Sequence, residues 1–355
     1  MNALSVNTSQ PVLVTGATGY LAGWIVKDLL EHGLTVHAAV RDPSNTAKLA
    51  HLDALADASP GSIKYFKADL LQEGSFDDAA EGCGVIFHTA SPFTSKIKDP
   101  QRDLVDPALN GTRTVLAAAN KSESVQRVVL TSSCAAIYGD NADIAEMPEQ
   151  KLSETVWNTS SSLSHQAYSY SKTVAERAAW EIAEAQTRWK LVVINPSFIL
   201  GPSLNAAPTS ESFNLIRQMS DGTMKSGAPD LSIGAVDVRD VADAHIRAAF
   251  ITEAEGRHIT SGFDTSFLEI AQTLKAELGG GQNFPNSTLP TWLLWLVGPM
   301  INPLMTRKVI SRNMGYPFRA DNTKSKQALG VSYRPLGPGL AEMHAQLVEA
   351  GLVKA

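Results

Sequence analysis

Val12-Leu13-Val14-Thr15-Gly16-Ala17-Thr18-Gly19-Tyr20-Leu21-Ala22 decides the fold. Val12, Leu13 and Val14 read as a short buried strand that ends in Thr15-Gly16. From residue 20 to 31 apolar residues recur at helical spacing, and Gly33 supplies a stop. Strand, glycine turn and helix in that order open a β-α-β unit. Gly16 permits the tight turn, and Gly19 lets the backbone approach a pyrophosphate. The helix N-terminus behind them offers N–H groups and a partial positive charge. Ala22 stands where a third glycine would allow close helix–sheet packing, and alanine is small enough to serve. The turn therefore predicts a dinucleotide site built by Thr15, Gly16, Thr18, Gly19, Tyr20 and Leu21.

The same alternation continues. Residues 35–40, 63–68, 84–88, 127–131 and 190–195 read as strands, and 45–58, 75–81, 110–119 and 168–185 as helices. Such a chain is α/β, a Rossmann-type doubly wound parallel sheet with helices on both faces. Beyond Pro196 the pattern breaks at Gly201, Pro202 and Pro208. Residues 236–238 read as strand and 241–250 as helix, predicting a return to the first lobe, and 257–260 adds another strand. The expected division is a nucleotide-binding Rossmann domain of residues 1–201 and 236–265. Residues 202–235 and 266–355 then form a smaller, substrate-binding lobe. The cleft belongs outside the carboxyl ends of the strands.

A length of 355 residues allows a large core. The net charge of −6 argues against nucleic-acid and anionic-membrane partners. Cys83 and Cys134 are the only cysteines, too few for a disulfide framework and suited to a reducing compartment. No histidine spacing suggests a metal site. Residues 1–10 lack the basic start and apolar core of a signal peptide. The most apolar stretch, 289–305, is interrupted by Gly298, Pro299 and Pro303, and reads as a buried or cleft-lining helix. A cytoplasmic enzyme is expected.

The second strand ends in Val40-Arg41-Asp42-Pro43. An acidic residue here selects NAD by binding the ribose diol, whereas an arginine pairs with a 2′-phosphate. Arg41 comes first, Lys48 follows on the next helix, and Asp42 reads as a turn residue before Pro43. The expected cofactor is NADPH/NADP. Asp69, at the end of the third strand, meets the adenine edge or caps the next segment.

Two further patterns carry chemistry. Tyr168 and Lys172 are spaced to share a helix face, and an ammonium beside a phenol favours the phenolate. Tyr170 is off that face. Ser132 and Ser133 close the fifth strand, where a hydroxyl can hold and polarise a carbonyl. Glycine turn, serine pair and Tyr/Lys helix, in that order, are the equipment for reducing a carbonyl.

With these motifs the chain resembles the extended short-chain dehydrogenase/reductases. Within them it is most similar to the dihydroflavonol reductase, cinnamoyl-CoA reductase and microbial aldehyde reductase group. Besides the glycine turn, the likeness rests on Val40-Arg41-Asp42-Pro43, Lys67-Ala68-Asp69-Leu70 and Val85-Ile86-Phe87-His88-Thr89-Ala90-Ser91-Pro92. It extends to Asn110-Gly111-Thr112, Arg127-Val128-Val129-Leu130-Thr131-Ser132-Ser133, Tyr168 to Lys172, and Asn195-Pro196. The resemblance implies Ser133 as catalytic serine, with Ser132 as fallback, beside Tyr168 and Lys172. It implies Arg41 and Lys48 on the 2′-phosphate, Asp69 and Leu70 near adenine, and Ala90 along the cofactor path. Pro196 and Phe198 would flank the nicotinamide, and His88 carries over as a core residue.

Two departures matter. Tyr138 stands where the flavonoid reductases carry an asparagine, and the CoA-recognition pattern of the cinnamoyl-CoA enzymes has no good match. Both favour the microbial aldehyde/ketone branch. Phe93, Tyr138, Trp292 and Trp295 are candidates to line an apolar or aromatic pocket, with plain packing the competing reading for the tryptophans.

The expected activity is reversible, NADPH-dependent reduction of an aldehyde or ketone to an alcohol. Tyr168 donates the proton, Lys172 lowers its pKa, and Ser133 polarises the carbonyl. The alternative is an NAD-dependent nucleotide-sugar epimerase or dehydratase. Cys134-Ala135 occupies the place of a dehydratase's acidic pair, and Arg41 opposes NAD. The expected partner is a small carbonyl compound, with no nucleic acid and no membrane. Monomer and homodimer are both open.

Overall fold

The computed structural model describes residues 7–91, 97–205, 210–280 and 283–354. Its first half alternates as the periodicity requires. The elements are β1 (Val12–Thr15), α1 (Tyr20–Glu31), β2 (Thr35–Val40), α2 (Thr46–Asp57), β3 (Ser62–Lys67), α3 (Asp77–Ala80) and β4 (Val85–His88). They continue with α4 (Asp106–Lys121), β5 (Arg127–Thr131), α5 (Asn141–Ile144), α6 (Ala167–Glu184) and β6 (Lys190–Pro196). The second half comprises β7 (Phe198–Leu200), α7 (Glu211–Ser220), β8 (Ser232–Asp237), α8 (Val238–Phe250), β9 (Gly256–Thr260) and β10 (Phe263–Ser266). It closes with α9 (Phe267–Glu277), α10 (Thr291–Ile301), α11 (Arg307–Asn313) and α12 (Leu336–Glu349).

Seven strands form one sheet in the order β3-β2-β1-β4-β5-β6-β9, all pairs parallel. A parallel sheet is covered on both faces, so its central strands must be apolar on both sides. β1 and β4 are buried at every residue. Side chains alternate across the sheet: Val12 and Val14 join one core with α1 and α8, while Leu13 joins another with α4 and α6. The strand order reverses between β1 and β4, and there the chain leaves both carboxyl ends to open a crevice.

A second, three-stranded sheet has the order β10-β8-β7. This corrects the expectation for residues 236–238. Val236 and Asp237 pair in parallel with Ile199 and Leu200, and Val238 already begins α8. β8 therefore belongs to the small sheet, while α8 packs with α1 on the large one. The apolar run alone could not distinguish the two, because β8 leads straight into a helix that returns to the first core.

Tyr20 Oη donates to Gly201 O at 2.5 Å and Trp24 Nε1 donates to Pro202 O at 2.9 Å, so α1 is bonded to the chain just after β7. The buried reading of the 289–305 stretch is a second correction. Only Leu294 and Gly298 of α10 are buried, while Trp292 is 69% and Met300 86% exposed. The helix rests on its neighbours along one side alone, where Leu294 packs with Ile310 and Met314. Among the described residues, no helix is long and apolar enough to cross a membrane.

Candidate active site

The glycine turn is fixed by its backbone. Gly16 has φ +64°, and its N–H donates to Ala39 O at 3.0 Å. A Cβ built there would lie 3.0 Å from Ala90 Cβ, so any larger residue would wedge the ends of β1 and β4 apart. Gly19 N–H bonds back to Gly16 O at 2.8 Å. Gly19 is also the N-cap of α1 and brings no capping side chain. The first N–H groups of α1 lack intrahelical acceptors, as at any helix start, and here nothing from Gly19 covers them. The cradle fits a pyrophosphate.

Three residues expected along this path have other duties. Thr15 is buried, and its Oγ1 accepts the N–H groups of Thr89 at 3.2 Å and Ala90 at 3.1 Å. Its own proton therefore goes to His88 Nδ1, 3.0 Å away. Burial, aided by the Lys172 ammonium, pulls His88 down to about 3, so the ring is neutral and holds the turn together. Leu21 is buried in the core of α1, and Tyr20 turns its hydroxyl to Gly201. Burial first, then Asp237, pushes that phenol well up. Thr18 stays partly exposed on the turn.

At the β2 end, Arg41 and Lys48 are exposed, and among the described residues neither has a carboxylate partner within ion-pair distance. Asp42 is the turn residue: its Oδ1 accepts Ser44 Oγ at 2.6 Å and Ser44 N at 3.0 Å. These bonds hold Asp42 below the usual carboxylate range. Two cations and an occupied carboxylate suit a 2′-phosphate better than a diol. Asp69 does cap locally, accepting Leu71 N–H at 2.9 Å, and Leu70 lies against Gly111 of α4.

The two serines differ in their surroundings. Ser132 is buried and donates to Glu176 Oε2 at 2.5 Å. Ser133, half-buried, accepts Ala135 N–H at 3.1 Å, which leaves its proton able to reach a ligand oxygen. α6 packs against the turn of Cys134–Ala136 that follows Ser133. Tyr168, in the first turn of α6, is 40% exposed. Lys172 Nζ stands 6.0 Å from the Tyr168 ring centroid and donates to Ser91 Oγ at 3.2 Å. His88, Ala90, Ser91, Ser132, Lys172 and Glu176 line one pocket.

Pro196 is buried at the end of β6, and Phe198 begins β7, packed against the core formed by α7, α9 and α12. Tyr138 is partly buried, edge-on to Phe318 with ring centroids 5.6 Å apart. Burial raises its phenol well above the ordinary range. Phe93 lies outside the described residues.

Sequence reasoning missed Ser91 and Glu176. Glu176 extends the Tyr168–Lys172 face by one more helical turn, a spacing that could have exposed it. Its carboxylate also takes Asn195 Nδ2 at 2.8 Å and pairs with Arg257 Nε at 2.6 Å. Ser91 carried no such signal, because a loop contact to a distant helix leaves no periodicity.

Comparison with known proteins gives the family. A model of the NAD dependent epimerase/dehydratase family matches residues 12–260. The chain belongs to this family. Within it, the chain is 35% identical to cinnamoyl-CoA reductase CAD2 of Medicago truncatula over 348 residues, 97% of this chain and 98% of the relative. It is 38% identical to anthocyanidin reductase of Arabidopsis thaliana, over 75% of this chain and 80% of the relative. Among solved structures of the fold, Gre2 of Candida albicans in complex with NADPH aligns with a TM-score of 0.76 at 28% identity. That match covers 96% of this chain and 99% of the other.

Proposed function

We propose that this family member reversibly reduces an aldehyde or ketone to an alcohol with NADPH. The observation that carries the reading is the placement of Lys172. Bonded to Ser91, it stands beside Tyr168 on one helix and next to the strand end that touches Gly16. The seven-stranded sheet and its helices would bind the cofactor, and the small sheet with residues 202–235 and 266–355 would bind the substrate.

Gly16, Gly19 and the first turn of α1 would hold the pyrophosphate, with Arg41 and Lys48 on the 2′-phosphate. Asp69, Leu70 and Ala90 would follow the adenosine side, and Pro196 and Phe198 the nicotinamide side. NADPH, when bound, supplies the hydride. Ser133 donates a hydrogen bond to the substrate carbonyl oxygen and polarises it, keeping its own proton. Tyr168 delivers its phenolic proton as negative charge builds on that oxygen. Lys172 stabilises the phenolate left behind, because opposite charges close together favour the ionised form. In reverse, the phenolate accepts the alcohol proton.

The substrate is a small carbonyl compound with an apolar or aromatic body. Tyr138, partly buried against Phe318, is the candidate side chain for contact with that body, and the asparagine that flavonoid reductases carry is absent at its position. The deciding experiment is a panel of aldehydes, ketones and hydroxycinnamoyl thioesters followed by NADPH absorbance. Turnover of a simple aldehyde or ketone is expected. Copurified NAD with no consumption of NADPH on any member would refute the reading.

A further inference from the structure

We propose that Asp140 is a positioning residue that holds the entry to the Tyr168 helix and couples it to α11. The inference rests on the reading of Tyr168 as proton donor. Asp140 lies in the segment between Ser133 and Tyr168, and its side chain is fully buried. A buried carboxylate is costly unless every lone pair is used. Four side chains use them. His165 Nε2 lies 2.6 Å from Oδ2, and Gln166 Nε2 donates to Oδ1 at 3.0 Å. From α11, Arg312 Nε donates to Oδ2 at 3.0 Å and Asn313 Nδ2 to Oδ1 at 2.7 Å. Burial alone would raise this carboxyl, but the bonds from His165, Gln166 and Asn313 bring it below the ordinary range.

The partners are specific in place. Gln166 is the N-cap of α6 and sits in a left-handed conformation, φ 54° and ψ 49°, rare for a residue with a side chain. Such a conformation persists only where surrounding bonds determine it. Its carbonyl accepts Tyr170 N–H at 3.0 Å, so the first turn of α6 starts from it. Tyr168 lies within that turn. His165 is clamped on the other side by reciprocal backbone bonds with Ser162, at 2.8 and 3.2 Å. Gly139 makes the close approach possible, because a Cβ there would overlap the Ser160 and Ser161 hydroxyls. Arg312 also reaches Asp143 Oδ1 at 2.6 Å, and Asn313 Oδ1 takes Asn141 N–H at 2.9 Å. One carboxylate thus ties α11 to the two residues that set the direction of α6. A displacement of α11 pulls on the same oxygens that hold His165 and Gln166.

The test is single-turnover oxidation of NADPH by the best carbonyl substrate, with NADPH Kd measured alongside. Asp140→Asn is expected to slow the hydride step tenfold or more while Kd stays within twofold. Arg312→Met, on the exposed side of the cluster, is expected to slow it threefold or more with the same unchanged Kd. If Asp140→Asn fails to fold, Arg312→Met decides. An unchanged rate in the folded variants, or rate and affinity falling together, overturns the proposal. Tyr168→Phe is run beside them. Retained activity there overturns the reading of the site, and this inference with it. Lost activity there, with Arg312→Met at the wild-type rate, overturns the inference alone.

Discussion

Lys172 Nζ lies 3.2 Å from Ser91 Oγ, so the helix that presents Tyr168 is bonded to the segment leaving β4. That bond fixes the ammonium at the point where the sheet order reverses. A lysine has three donors and one long flexible stem. Ser91 takes one donor and removes much of the freedom of the stem. Ser91→Ala should leave folding intact and lower kcat about three- to tenfold, the share of one positioned hydrogen bond. Steady-state kinetics read this directly, and unchanged kcat would deny Ser91 a positioning role.

Tyr168→Phe removes the proton donor while keeping the ring. Turnover should fall about 10²–10⁴-fold, the range of general acid catalysis. NADPH affinity, measured by fluorescence titration, should change less than twofold. Wild-type turnover in this variant would exclude Tyr168 as the acid.

The two serines should separate in opposite directions. Ser133→Ala should lower kcat by about 10²-fold, as loss of an oxyanion-type donor does, with little change in Tm. Ser132→Ala leaves the buried Glu176 short of a donor and should cost about 1–3 kcal/mol of stability. Thermal melts and kinetics on both variants settle which hydroxyl serves which purpose.

Arg41→Asp replaces a cation with an anion where the 2′-phosphate is expected. The KM for NADPH should rise at least tenfold, and that for NADH should rise much less. Equal changes in both would remove Arg41 from that role.

Acid should destabilise the fold through its buried histidines. Burial pulls His245 down to about 4, against the hydrogen bond of its Nδ1 to the Val241 carbonyl, which opposes the shift. Its folded pKa lies below its unfolded value of 6.5, so the unfolded chain binds the proton first as pH falls. Its stabilising contribution is thus complete above pH 6.5 and is lost as pH falls toward about 4. Asp28 works the other way, because burial raises it to about 6 and the folded chain gains its proton first. His245→Gln isolates one member. Its loss of stability from pH 7 to 5 should be smaller than the wild type's by about 2 kcal/mol, read from urea unfolding at each pH. An unchanged loss would mean that His245 is not held neutral.

The nucleotide half was legible because its signals are local. The turn at Gly16, the helix from Tyr20 to Glu31 and the strand from Thr35 to Val40 each carry period and punctuation within a few residues. The small sheet was not legible, since β8 and β7 are separated by α7 and nothing in either strand names its partner. Tyr168 and Lys172 were visible as a spacing. Ser133 was preferred to Ser132 only through the resemblance, because Glu176, which faces the Ser132 hydroxyl, lies 44 residues away in the chain. The exposure of α10 was misread because apolar content says how much surface wants cover, not whether the fold supplies it.

Trp24 gives this architecture an optical readout. Its indole N–H ends on Pro202 O, and Lys27 and Arg239 each place a cation 6.0 Å from its ring. The ring therefore sits on the joint between the two sheets, in a field that changes whenever the joint does. Of six tryptophans, it alone among the described residues bonds to the chain just after β7. The difference in emission between the wild type and Trp24→Phe is therefore expected to report any change at this joint, without a label.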